Sequence, residues 1–309
     1  MEQLAALMAL GAIAGLFSGL LGIGGGFIIV PAMVFMMPHF GMAGPNLVRV
    51  AIATAMATTV VATFSGVQSH LARGAVDWSI MWRLTPGVIV GAFAGPLISE
   101  AINAQLLTII FVGFLLFAAR SMVRRRAAHQ TARQLPGVAG LLIVGIVTGA
   151  ICSLLGIGTA AITVPLLASH LPIQRSIGTS SALSVPLAVI GAAGYLLADT
   201  PRATCSSGCS GYVYLAGAGA IAIAMIFTVP LGAWLTHVVP TGPLRMVFAG
   251  FLVVIAAQMT WKTLPGVDSA AYAASLRTWL TAPDAAPKPA QPIWLGEASA
   301  PARQWAAER

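Results

Sequence analysis

The sequence predicts an all-α polytopic membrane protein of about eight transmembrane helices, built as two four-helix repeats in which helices 1 and 5 break at glycine motifs. Three observations carry this expectation. First, 58% of the 309 residues are hydrophobic and only 8% are charged, with a mean hydropathy of +0.90, which leaves too little polar surface to cover a soluble globule. Second, the charges are segregated: no Asp, Glu, Lys or Arg falls between Glu2 and Arg49, Arg49 and Arg73, Glu100 and Arg120, Arg133 and Arg175, or Arg175 and Asp199. Apolar stretches of roughly 20 residues cross a bilayer core as helices, which satisfy their own backbone hydrogen bonds, and the short alternating strands of a barrel are missing. Third, seventeen residues occur twice. Gly15 to Pro31 (GLFSGLLGIGGGFIIVP) and Gly149 to Pro165 (GAICSLLGIGTAAITVP) share nine identities on an offset of 134. A pair of glycine-broken hydrophobic segments at matching positions points to a transport site.

The elements follow in order. Segment 1, near 4–37, is about 34 residues long, more than one straight crossing needs, so it breaks or tilts at its glycines. Segment 2, near 47–70, is rich in hydroxyls (Thr54, Thr58, Thr59, Thr63, Ser65) and ends in His70. Segments 3 and 4, near 79–99 and 104–122, complete a first repeat over 1–125. A basic linker, 126–136, leads to segment 5 near 137–170, which repeats segment 1. Segment 6, near 176–198, carries Thr179, Ser180, Ser181 and Ser184; segments 7 and 8, near 212–237 and 243–261, close the second repeat over 137–262. An offset of 125 pairs Thr54 with Thr179, Thr59 with Ser184 and Gly66 with Gly191; an offset of 137 then pairs Gly74 with Gly211, Gly95 with Gly232 and Phe111 with Phe248. Residues 263–309 read as a mobile cytoplasmic tail with a short helix over Asp268 to Ala282.

Basic residues set the expected orientation. Arg120, Arg124, Arg125, Arg126 and Arg133 place the central linker in the cytoplasm, and with eight crossings both termini and the loops holding Arg73, Arg83 and Arg202 share that side. Arg49, Arg175 and Arg245 then fall opposite. Even crossings give both repeats one orientation. Two crossings within each of segments 1 and 5 would invert one repeat, but 34 residues are short for that. The start lacks the basic region of a signal peptide and is expected to be retained. Cys205 and Cys209 lie in a loop that this orientation makes cytoplasmic, so both are expected as reduced thiols without metal, and Cys152 as a small packing residue.

Candidate site residues come from the breaks and the polar helices. Gly22, Gly24, Gly25 and Gly26 favour unwinding, as do Gly156 and Gly158, with Thr159 adding a hydroxyl. An unwound turn exposes N–H groups at a half-helix start, where an anion can accept their hydrogen bonds. Close helix packing is the alternative role of such glycines. Thr54, Thr59, Thr179, Ser180 and Ser184 can coordinate an oxyanion without fixing a charge in the bilayer, or can bond their own helix carbonyls. His70 can hold a substrate oxygen or a proton, or be an interfacial histidine. No carboxylate lies inside a span, so coupling through a buried acid is not expected. Without HExxH, Walker A or CxxC, no enzyme, cofactor or metal site is expected. The net charge of +8 reads as topology signal and contact with anionic lipid, not nucleic acid. The expected partners are a small anion and the bilayer, with a homo-oligomer left open.

The segment Gly22-Ile23-Gly24-Gly25-Gly26 ending in Pro31, the series Ser65-Gly66, His70 and Gly74-Ala75-Val76-Asp77-Trp78, and Gly178-Thr179-Ser180 resemble the TauE/SafE family of sulfite and organosulfonate exporters over roughly 4–262. Thr159-Ala160 and Ala53-Thr54-Ala55 depart from the family's glycine-richer and GTS-like patterns, so the halves are expected to contribute unequally. The resemblance implies export of a small sulfur-containing oxyanion across the cytoplasmic membrane. Import of thiosulfate or a related anion, and a non-transporting scaffold, are the alternatives.

Overall fold

A computed structural model describes residues 2–22, 24–40, 42, 44, 46–124, 137–198, 208–238 and 241–263. The linker 126–136, Cys205 and the tail with its expected helix lie outside the described residues. Among those described are ten α-helices: α1 (Glu2–Leu21), α2 (Gly26–Met36), α3 (Leu47–Leu71), α4 (Trp78–Ala101), α5 (Ala104–Arg124), α6 (Val138–Leu155), α7 (Ala160–Leu167), α8 (Ile173–Leu197), α9 (Leu215–Val238) and α10 (Thr241–Thr263). A 3-10 turn, Met37–Phe40, extends α2. Two-residue strands Cys209–Ser210 (β1) and Val213–Tyr214 (β2) pair as a small antiparallel hairpin before α9.

Seven helices, α1, α3, α4, α5, α6, α8 and α9, are long and apolar enough to cross a membrane, and the described apolar part of α10, Phe248–Trp261, is shorter. Their outer faces are apolar: Trp82, Phe93, Phe117, Ile143, Phe227 and Trp261 are all more than half exposed, the pattern of a surface solvated by lipid. Segments 1 and 5 do break at their glycines. Gly22, Gly24 and Gly25 take φ of +68°, +79° and +76°, and Gly156 takes +70°, a left-handed backbone that other residues rarely adopt. Gly156 ends α6 with its own N–H and that of Ile157 bonded to carbonyls of the last turn.

Helix directions follow from paired contacts. Along α1 and α9, Gly11, Gly15 and Gly19 meet Ile221, Thr228 and Val229 in rising order, so the two helices are parallel. Gly87, Gly91 and Gly95 of α4 meet Leu142, Ile146 and Ser153 of α6 in the same sense. Near their starts α4 and α8 meet at Asp77 and Thr179, and near their ends at Pro96 and Gly194. Similarly, α3 runs with α9, from Thr54 beside Tyr214 to Gly66 beside Val229. Between α3 and α8 the order reverses: Met56 meets Gly191, while Gly66 and Ser181 share one cavity. Thus α1, α3 and α9 run one way and α4, α6 and α8 the other. Short connectors then set α5 with the first group and α10 with the second.

Because α1 and α3 run the same way, the chain between them must return. It does so through α2, whose Phe27, Ile29 and Val30 are fully buried; α7 does the same between α6 and α8, with Thr163 and Leu167 buried. These returns sit inside the bundle, where broken backbone is shielded from lipid. The expectation of an even number of crossings and repeats of one orientation is therefore corrected: each half makes four long passes and one buried return, and the halves are inverted. A return needs only a half-helix and irregular chain, which a 34-residue segment can supply. The expected sharing of one face by the linker and both ends is corrected too. The end of α5 and the start of α6, which flank the linker, lie opposite the start of α1 and the end of α10.

The inverted halves interlock. The N–H of Tyr214 donates to Thr54 Oγ1 at 3.1 Å and that of Asp77 to Thr179 Oγ1 at 2.9 Å, two bonds related by the offsets 137 and 125. Phe17 of α1 and Phe27 of α2 pack on Phe248 of α10, and Phe27 also stacks on Phe114 of α5.

Candidate functional site

The two glycine breaks meet at the centre. A Cβ on Gly24 would lie 3.0 Å from Gly158 N, and one on Gly26 only 2.0 Å from Gly156 O, so neither position admits a side chain. Hydroxyls of the polar helices lock these breaks. Thr59 Oγ1 is 2.8 Å from both Gly24 O and Ala55 O. The Thr159 N–H donates to Ser184 Oγ at 2.9 Å, Thr159 Oγ1 donates to Ser180 O at 2.8 Å, and Thr163 Oγ1 donates to Ser180 Oγ at 2.7 Å. The hydroxyl of Thr159, expected to serve an anion, is thus taken by Ser180 O, and its amide by Ser184 of α8. Gly25 packs against Met225 and Gly156 against Ile52.

A small polar cavity of about 10 Å³, room for roughly one water molecule, opens beside the first break. Ser18 of α1, Thr63 and His70 of α3 and Ser181 of α8 supply its polar atoms. Gly22, Gly24 and Gly66 give it room; a Cβ on Gly22 would stand 3.1 Å from Ser181 Oγ. Ser18, Thr63, His70 and Ser181 are each at least nine-tenths buried. Among the described residues no Asp, Glu, Lys or Arg lines the cavity, so its offer to a solute is hydroxyl and imidazole hydrogen bonding in a low-dielectric wall. It lies at the ends of α1 and α3 and the start of α8, on the linker-facing side.

Of the residues singled out from sequence, Gly22, Gly24 and His70 line this cavity. Gly25, Gly26, Gly156 and Gly158 shape the central crossing, Thr59, Thr159, Ser180 and Ser184 brace it, and Thr54 and Thr179 clamp the halves together. Sequence reasoning did not select Ser18, Thr63 or Ser181. The available signal was a mismatch: at the repeat offsets Ser18 faces Cys152 and Thr63 faces Ala188, so polarity occurs in one half alone.

The cysteine expectation is also corrected. Cys209 is disulfide-bonded, whereas Cys152 is a buried free thiol. The hairpin holding Cys209 follows α8 on the face opposite the linker, not on the linker's own face as eight crossings required.

Comparison with known proteins finds relatives described as membrane transporters. A 256-residue alignment at 29% identity, covering 82% of this chain and 97% of the relative, matches a "Probable membrane transporter protein" of Haemophilus influenzae. A similarly described protein of Methanocaldococcus jannaschii is 28% identical over 230 residues, 73% of this chain and 81% of its own. Another from Bacillus subtilis is 29% identical over 190 residues, 59% of this chain and 74% of its own. No solved structure matches the chain. The family described as sulfite exporter TauE/SafE matches residues 7–259, nearly the whole of the helical bundle, and the chain belongs to that family of membrane proteins.

Proposed function

We propose that this membrane transporter carries a small sulfur-containing oxyanion, of the sulfite or organosulfonate class, out across the cytoplasmic membrane through the cavity of Ser18, Thr63, His70 and Ser181. The observation that carries the reading is this small polar cavity, lined among the described residues by no Asp, Glu, Lys or Arg and set beside a glycine break inside an inverted-repeat bundle. Hydroxyl donors can replace the hydration of oxyanion oxygens without a fixed cation that would hold the solute too tightly to release it. Spans lacking internal carboxylates suit movement down an electrochemical gradient, and a negative cell interior favours anion exit.

By the helix directions Arg73, Arg83, Arg120, Arg124, Arg175 and Arg245 stand at helix ends on the linker side, against Arg49 and Lys262 opposite. Six against two among the described residues supports a cytoplasmic linker. The cavity then opens towards the cytoplasm, and the start of α1 lies outside. The test is sulfite and taurine efflux from loaded proteoliposomes, with thiosulfate uptake measured in parallel. Ser181→Leu, which fills the cavity, and His70→Leu, which removes its imidazole, should each cut efflux at least about tenfold at unchanged insertion, whereas equal efflux from the parent and both variants would overturn the assignment.

A further inference from the structure

The repeat offsets locate the mirror image of this cavity, and it is filled. Ser18 maps to Cys152, Gly22 to Gly156, Thr63 to Ala188, Gly66 to Gly191 and His70 to Tyr195, while Ser181 maps back to Met56. The backbone is the same at both places: the Ala75 N–H donates to His70 O at 3.1 Å, and the Tyr212 N–H to Tyr195 O at 3.0 Å. Side chains differ. Tyr195, Met56 and Cys152 are 1%, 0% and 0% exposed. Met56 packs where a Cβ on Gly191 would stand, 3.3 Å from its Cε, and Tyr195 Oη is 3.3 Å from Ser153 O and 3.5 Å from Leu154 O. Where the first half has a polar hollow, the second has a plug.

Because the halves are inverted, this plug occupies the side of the bundle opposite the cavity. A solute leaving the cavity across the Gly24 and Gly158 crossing must pass it. We propose that Tyr195, backed by Met56, is the gate on the face opposite the linker, and that an oxyanion leaves the protein past it when its ring withdraws. The hairpin of Tyr212 and disulfide-bonded Cys209 rests on the gate, since a Cβ on Gly211 would lie 2.3 Å from Tyr195 O, so it holds the gate's backbone while the ring moves. The Tyr195 hydroxyl is held by two long contacts to carbonyls and by the uncharged Ser99 side chain, which suits a side chain that must open repeatedly. The gate rests on the transport reading above, but its test reads accessibility and needs no solute.

Cys152, at the mirror position of the cavity-lining Ser18, is the built-in probe. Cys209 stays in its disulfide and Cys152 is the free thiol, so the native full chain is labelled without reductant. A cationic, membrane-impermeant methanethiosulfonate is applied to one face or the other of oriented vesicles, and modification is quantified by mass spectrometry. Tyr195→Ala should speed labelling from the face opposite the linker by at least about tenfold. Tyr195→Phe, which keeps the ring and loses only its hydroxyl bonds, should speed it about fivefold, the population change equivalent to one net hydrogen bond. Ser181→Cys, placed in a parallel Cys152→Ser background, should be labelled from the linker face and serves as the folding control. Folded variants in which Cys152 stays unreactive from the opposite face, or reacts from the linker face alone, would overturn the gate. Cys152 opening without sulfite efflux would sink only the transport reading; efflux with Cys152 closed in every variant would sink only the gate.

Discussion

At the residue scale, one chemical group serves two purposes. Thr54 and Thr179 accept backbone N–H bonds from the opposite half, and Thr59 and Ser184 brace the glycine breaks, so these hydroxyls hold the fold. Thr63 and Ser181 face the cavity. The repeat offsets made the first four conspicuous because symmetry is strongest where both halves need the same brace. A solute site on one side of the bundle breaks that symmetry, and so His70 against Tyr195 is the more informative pair. The two roles separate by measurement. Thr54→Val and Thr179→Val should each lower the melting point in detergent, since a buried N–H left without its acceptor costs about 1–3 kcal/mol. Thr63→Val and Ser181→Ala should leave melting within a degree or so and raise the KM for efflux about fivefold or more, the loss of roughly one hydrogen bond to the solute. A melting loss in the second pair without a change in KM would return them to the structural class.

At the element scale, the glycines of the long helices and those of the breaks do different work, and the sequence displays them alike. Gly87 and Gly91 allow α4 to press its backbone onto α6; a Cβ on Gly91 would stand 2.1 Å from Ile146 O. Gly113 of α5 and Gly250 of α10, paired by the 137 offset, have nothing within 4 Å of a built Cβ. Gly91→Val should therefore abolish the folded, monodisperse species in detergent, read by size exclusion. By contrast Gly113→Ala and Gly250→Ala should be tolerated and gain up to about 1 kcal/mol in helix stability, visible as a raised melting point. Equal loss in all three variants would mean that the open space beside α5 and α10 is occupied by another chain. Breakage of segments 1 and 5 was legible in their length and glycine content. Reversal at the break was not, because a bent crossing and a helix followed by a half-length return have the same apolar composition; only the contacts of α1 with α9 and of α3 with α8 tell them apart.

At the scale of the whole molecule, a single change, from one crossing to a crossing plus a return in segments 1 and 5, reorders the rest of the bundle. It inverts the halves, which carries Arg175 and Arg245 to the linker side and Lys262 to the other. It places the hairpin of disulfide-bonded Cys209 on the face opposite the linker. And it sets the polar cavity and its filled mirror image on opposite faces, as a path across the membrane requires. The arrangement predicts labelling that eight simple crossings forbid. Gln3→Cys at the exposed start of α1 and Ala72→Cys at the exposed end of α3 lie on opposite faces, whereas even crossings put both in the cytoplasm. With the native cysteines replaced, an impermeant maleimide on intact cells should modify position 3 and leave position 72 untouched until the membrane is permeabilised. Alkylation of freshly lysed cells carrying the native cysteines should, in the same series, find Cys209 blocked until a reductant is added. Protection of position 3 together with a free Cys209 thiol would restore the cytoplasmic assignment of that face, and with it the even count of crossings.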